Sequence, residues 1–257
     1  MALTEERPLA LTTGDETVTD HEPLGVFRRP TSTEGWRSWV TTVDHKKIGL
    51  MYGYTAFFFF LVGGVEALLI RAQLAVPNNN VLGAETYNQV FTMHAITMIF
   101  LVVMPMAAAF ANYLLPLQIG ARDVAFPRMN AFSYWAFLFG GIFLNSSWLL
   151  GGAADGGWFA YAPNTGVVFS PTHGIDFFCL GLLISGIGTL ASSVNLTVTV
   201  LNMRAPGMTL MRMPVFTWMV LVVQVLLVFA MPVITLALIL LLVERLFGAA
   251  FFDPTAG

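Results

Sequence analysis

VFTWMVLVVQVLLVFAMPVITLALILLLV, residues 215–243, runs for 29 positions without one charged side chain. A helix crosses a bilayer in about 20 apolar residues, each advancing it about 1.5 Å. This stretch therefore reads as a membrane span, with Pro232 inside it. Four more segments read the same way: near Ile48–Ile70 through the Phe57–Phe60 run, near Val90–Leu117, near Met129–Leu150 and near Ile175–Leu201. Pro105 and Pro116 lie in the second. Prolines are tolerated in spanning helices whose neighbours satisfy the freed carbonyls, which favours packed helices over isolated anchors. The expected fold is all-α, a polytopic transmembrane helical bundle with five spanning helices.

Composition agrees. Of 257 residues 56% are apolar and only 11% charged, with a mean hydropathy of +0.73, whereas soluble domains carry about a quarter charged residues. Seven of the fifteen acidic residues fall in the first 35 positions, so the net charge of −3 reflects a tail rather than a binding face. Residues 1–40 read as a polar tail and 41–257 as the bundle. The tail has mixed charge, Thr, Pro and Gly, and lacks the basic end and apolar run of a cleavable signal; the first span is expected to direct insertion. Cys179, the single cysteine, excludes an intramolecular disulfide and reads as a small core residue. Neither a Gly-rich phosphate loop nor a CxxC or HExxH motif occurs, and nothing suggests nucleic-acid binding.

Basic residues orient the chain. With the N-terminus inside, Arg7, Arg28, Arg29, Arg37, Lys46, Lys47, Arg122, Arg128, Arg204 and Arg212 all lie inside, and only Arg71 and Arg245 outside. Ten against two is a clear positive-inside bias. The outer connection Gly151–Gly174, about 24 residues rich in glycine and holding Trp158 and Tyr161, reads as an ordered cap.

Ionisable groups inside spans are costly and so become functional candidates. His94 lies about one turn into the second span. A neutral imidazole there suits an iron ligand, because no charge need be buried, and equally suits a hydrogen bond to a neighbouring helix. Glu66 and Arg71, five apart, sit late in the first span; either a structural contact and a snorkelling arginine, or a cofactor edge and a proton route, accounts for them. Asp123, between Arg122 and Arg128, reads as a surface ion pair or as a proton-collecting mouth. The second reading needs polar groups leading inward, and Asn112, Asn130, Asn195, Ser185 and Thr189 supply them, although all five also suit interhelical bonding. Asp176 and His173 are expected to cap the fourth span, while His21 and His45 read as solvated.

Several strings are more specific. Thr42-Val43-Asp44-His45-Lys46-Lys47-Ile48-Gly49, Met93-His94-Ala95-Ile96-Thr97-Met98-Ile99-Phe100, Ala111-Asn112-Tyr113-Leu114-Leu115-Pro116-Leu117 and Ile119-Gly120-Ala121-Arg122-Asp123-Val124-Ala125-Phe126-Pro127-Arg128-Met129-Asn130 resemble subunit I of the haem–copper terminal oxidases. Leu201-Asn202-Met203-Arg204-Ala205-Pro206-Gly207-Met208 and Phe251-Phe252-Asp253-Pro254 match as well. The strings stand in family order from about Trp39 onward, and they look most like the A-type, aa3-like cytochrome c oxidase branch.

The resemblance implies an N-terminal portion of a bundle that has about twelve spanning helices in the family. It implies that His94 is an axial ligand of the low-spin haem a, that Arg71 lies at that haem's edge, and that Asp123 opens the D proton pathway. Asn112, Asn130 and Asn195 match its asparagines, with Ser185 and Thr189 on the route; Ala131 stands where the family often has another asparagine. Haem a3 and copper would be ligated by segments that follow, so no complete catalytic centre is expected within these residues. The implied function is part of a proton-pumping oxidase of the bacterial plasma membrane that reduces dioxygen to water. It would work with subunits II and III, the remainder of subunit I and cytochrome c. A quinol oxidase of the same superfamily and a truncated non-catalytic membrane fragment are the alternatives.

Overall fold

The computed structural model describes residues 35–252. His21, the acidic tail and Asp253-Pro254 lie outside the described residues. Arg37–Val40 (α1) forms a single helical turn inside the segment expected to be tail. The Asp44 side chain then accepts from the Lys46 amide at 2.7 Å and so starts α2, His45–Gln73. Ala84–Ile96 (α3) continues through a π turn, Thr97–Val103, into Met104–Ile119 (α4), making one rod of 36 residues. Pro105 has no N–H to donate to the preceding turn, and the widened turn lies directly before it. At the other end Gly120 adopts φ +73°, and the Ala121 amide returns to the Pro116 carbonyl at 2.8 Å.

Pro127–Ser146 (α5) begins with proline at its first position, where no donor is needed. Gly174–Asn202 (α6) and Val215–Phe247 (α7) complete the set. No strand occurs among the described residues. The all-α bundle is thus present, but the count of five spans is corrected to four: His45–Gln73, Ala84–Ile119, Gly174–Asn202 and Val215–Phe247 are long and apolar enough to cross a membrane. The third expected span forms α5, 20 residues long, yet falls short in composition. Asn130, Ser133 and Asn145 dilute its apolar run, and the first two are fully buried against protein.

Neighbours pack antiparallel at close range. A Cβ built on Gly140 would lie 2.7 Å from the Gly181 carbonyl oxygen, and one on Gly188 would lie 2.7 Å from that of Ser133. Only glycine permits backbones that close, which is how membrane helices associate when apolar burial gives little drive. Gly49 of α2 meets α4 in the same way, 2.9 Å from the Ala109 carbonyl. Three apolar clusters fill the seams. One joins α3, α5, α6 and α7 through Met93, Leu144, Phe178 and Leu241, and includes Cys179 as expected. A second joins α2 to α5 through Tyr52, Phe59 and Phe137, and the third ties the ends of α4, α6 and α7 through Leu115, Val200 and Leu221.

Candidate functional site

α3 presents His94 half-buried toward α2, where its Nδ1 lies 2.9 Å from the Gly63 carbonyl oxygen. A carbonyl only accepts, so Nδ1 carries the proton and donates. In the neutral ring Nε2 then holds the lone pair, and it makes no hydrogen bond among the described residues. One residue on, about 100° around α2, a Cβ at Gly64 would meet nothing within 4 Å. Arg71, seven residues beyond, lies about 20° short of two full turns from Gly64 and is exposed. No hydrogen bond or ion pair joins Arg71 to His94 or to Glu66. Glu66 is buried, with the Thr97 hydroxyl beside it; one of its carboxyl oxygens and that hydroxyl lack a hydrogen-bonding partner.

A second polar group lies at the opposite end of the bundle. Asp123 is buried; its Oδ1 accepts from its neighbour, the Val124 amide, at 2.8 Å and lies 3.1 Å from His45 Nδ1. His45, expected to be solvated, is corrected: it is 3% exposed, and its Nε2 is buried without a partner. It opens α2 directly after the Asp44 cap, which turns it inward while Lys46 stays exposed. Asn195 of α6 clamps the start of α5. Its Oδ1 accepts from the Phe126 amide at 2.8 Å, and its Nδ2 donates to the Phe126 carbonyl at 3.3 Å. Thr199, unremarkable in sequence, accepts from the Ala125 amide at 2.9 Å. One turn beyond Phe126, Asn130 is fully buried and neither amide atom has a partner. Asn112 is also fully buried; it donates to the Ala108 carbonyl at 2.8 Å, and its Oδ1 has no partner. Buried amide atoms of this kind are normally met by ordered water.

Ser185 and Thr189 face a cavity of about 530 Å³ between the π turn, α4, α6 and α7, with Ser192, Ser193 and Gln224 adding polar groups to a mostly apolar lining. Asp123, Asn112, Asn130 and Asn195 are not in its lining. The predicted polar residues thus form two groups, one around the α4–α5 connection and one in the cavity.

At the far end, His173 is the N-cap residue of α6 and Asp176 lies in its first turn, as expected, but neither side chain bonds a backbone amide there and both belong to a third cluster. Asp176 accepts from Arg245 Nε at 2.6 Å and approaches His173 Nδ1 at 2.8 Å. Arg245, read from sequence only as an outside charge, is buried. Its guanidinium donates to the carbonyls of Thr165, Ser170 and Thr172 at 2.6, 2.9 and 2.8 Å. Arg245 thereby fastens the connection 151–173 to α7 at three points. Among the described residues, no three His, Cys, Asp or Glu side chains gather to hold a metal ion.

Comparison with known proteins places these features in context. The family model described as "Cytochrome C and Quinol oxidase polypeptide I" matches residues 47–257. The chain is 57% identical over 219 residues to the cytochrome c oxidase subunit 1 of Bacillus sp. (strain PS3), covering 85% of this chain and 35% of that protein. It is 50% identical over 222 residues to the quinol oxidase subunit 1 of Bacillus subtilis (strain 168), covering 86% and 34%. A putative cytochrome c oxidase subunit 1-beta of Streptomyces coelicolor is 50% identical over 220 residues, covering 85% and 38%. The chain spans about a third of the length of the curated relatives it matches.

Proposed function

The chain belongs to the cytochrome c and quinol oxidase polypeptide I family, and from that premise we propose that it supplies one axial haem ligand and the first part of a proton route to a haem–copper terminal oxidase. The observation that carries this reading is the His94–Gly63 hydrogen bond, 2.9 Å long. It fixes the imidazole's tautomer and orientation and leaves Nε2 as a neutral donor atom. His94 would hold the iron of a low-spin haem a, a group that supplies one-electron transfer when bound. Arg71 sits on the open face of α2 shared with Gly64, where a positive charge would stabilise extra electron density on the ring.

At the other end, Asp123 takes up protons, with the buried imidazole of His45 holding its carboxylate. Asn112 and Asn130 each leave amide atoms unsatisfied in a fully buried setting; water bound there extends the route inward. Asn195 fixes the α5 start that carries Asn130, and Ser185 and Thr189 offer hydroxyls farther along α6. Lys46, Lys47, Arg122, Arg128, Arg204 and Arg212 gather near this end, so it faces the cytoplasm of a bacterial plasma membrane. Haem a3, copper, the remaining helices of subunit I and subunits II and III belong to the complete assembly. Cytochrome c is the donor this reading adopts, because the cytochrome c oxidase relative at 57% stands above the quinol oxidase at 50%.

The test is a reduced-minus-oxidised spectrum of the assembled complex, followed by oxidation assays with reduced cytochrome c and with quinol. The wild type shows low-spin haem a bands and oxidises cytochrome c, and His94→Ala loses the bands. Bands that survive His94→Ala overturn the ligand assignment. Turnover with quinol alone overturns the donor.

A further inference from the structure

Arg245 is a buried cation at the end of α7, bonded to four acceptors and far in sequence from everything it holds. Three of those acceptors are carbonyls of the 151–173 connection, and the fourth is Asp176 of α6. A guanidinium suits this task because its rigid fork presents several donors at once. Within the connection, the Thr165 hydroxyl donates to the Ala160 carbonyl at 3.1 Å and the Ser170 hydroxyl to Asp155 at 2.5 Å. The hub is thereby carried across the loop to its near half.

That near half lies on α3. The Gly157 amide donates to the Thr92 hydroxyl at 3.0 Å. A Cβ at Gly152 would lie 3.2 Å from the Gln89 side-chain nitrogen, and Ala153 and Ala154 pack with Met93 and Ile96. Thr92 and His94 are two residues apart, about 200° around the helix. α3 is therefore held on opposite sides, by the loop at Thr92 and by the Gly63 carbonyl at His94. A rotation that relaxed the first bond would swing the imidazole off the second.

We propose that Arg245 is a positioning residue for His94, acting through the 151–173 loop and the Gly157–Thr92 bond to fix the rotation of α3. The proposal rests on the reading of His94 as an iron ligand. Arg245→Lys keeps the charge but cannot reproduce the fork; Thr92→Val keeps the size and removes the hydroxyl that accepts from Gly157.

Both variants are made in the assembled complex and read by hydrogen–deuterium exchange and by the low-spin haem spectrum. Arg245→Lys raises amide exchange about tenfold or more in the loop and also in α3, and it shifts or broadens the low-spin band. Thr92→Val raises exchange in α3 while the Arg245 end of the loop stays protected, and it moves the band in the same direction. The double variant moves it no farther than the larger single change. Loosened loop amides with α3 exchange and the band unchanged would show a local anchor only and overturn the proposal. If Arg245→Lys fails to assemble, Thr92→Val decides alone: an unmoved band and unmoved α3 exchange overturn it. A wild-type complex without any low-spin band overturns the iron reading itself, and the proposal with it.

Discussion

His45 shows most sharply what separates a residue's sequence context from its setting. Beside Lys46 and Lys47 it reads as solvated, yet it is buried against Asp123, a partner 78 positions away. No local pattern encodes such a pairing. Arg245 was hidden for the same reason, since its acceptors lie 69 to 80 positions upstream. His94 and the buried asparagines were legible, because a polar group in an apolar run must find a partner wherever the chain takes it. Their partners were not: nothing in the sequence points to the Gly63 carbonyl or to the Phe126 backbone. Glu66 has a place beside Thr97 but no role that the geometry assigns. At this scale the proton reading is open to test. Asp123→Asn preserves shape but cannot carry a proton, so turnover falls roughly a hundredfold or more, the low end of what a positioned proton carrier contributes. His45→Ala removes a buried partner of the carboxylate and lowers stability by about 1.5–3 kcal/mol, in line with a hydrogen bond to a charged group. Single-turnover proton uptake from the inner side and thermal unfolding check the two outcomes; uptake by Asp123→Asn at the wild-type rate removes Asp123 from the route.

Helices were the most readable elements, and their ends were underestimated by a few residues where caps and connections extend them. The expected span near 90–117 runs Ala84–Ile119, and that near 215–243 runs Val215–Phe247. The π turn at Thr97–Val103 was invisible, because Pro105 signals a disturbed helix without saying whether it kinks or widens. α5 is less apolar than the other four because Asn130 and Ser133 are buried against protein, so it needs less apolar surface than a helix wrapped in lipid. Its seam with α6 depends on Gly140, Gly181 and Gly188. Gly140→Leu has no space to enter, with a backbone oxygen 2.7 Å from its first carbon, and overpacking of this sort costs about 1–3 kcal/mol. The expected result is a lower unfolding temperature for the complex, whereas Gly83→Leu, with nothing within 4 Å of a Cβ built there, costs far less. Equal losses from the two would contradict the close-packed seam.

For the whole molecule, charge asymmetry predicts the direction of insertion. The connections Gly120–Phe126 and Met203–Pro214 lie at one end, joined where the Ala205 amide donates to the Ile119 carbonyl at 2.9 Å. A cysteine placed at Arg122 is expected to react with an impermeant thiol reagent only from the cytoplasmic side of membrane vesicles. One placed at Asn78 is expected to react only from the other side; the reverse pattern would invert the proton route with it. α7 carries a mechanical consequence of these fixed ends. Its Thr217 hydroxyl donates to Gln118 at 2.9 Å near one boundary, and Arg245 is fastened near the other. At 33 residues it is a strut about 50 Å long, against a hydrocarbon layer of about 30 Å. Pinned at both ends, it resists fraying or sliding to suit a thinner lipid film, so a change in bilayer thickness is taken up by tilting the helices together, by a bend at Pro232, or by the lipid itself thickening around the bundle.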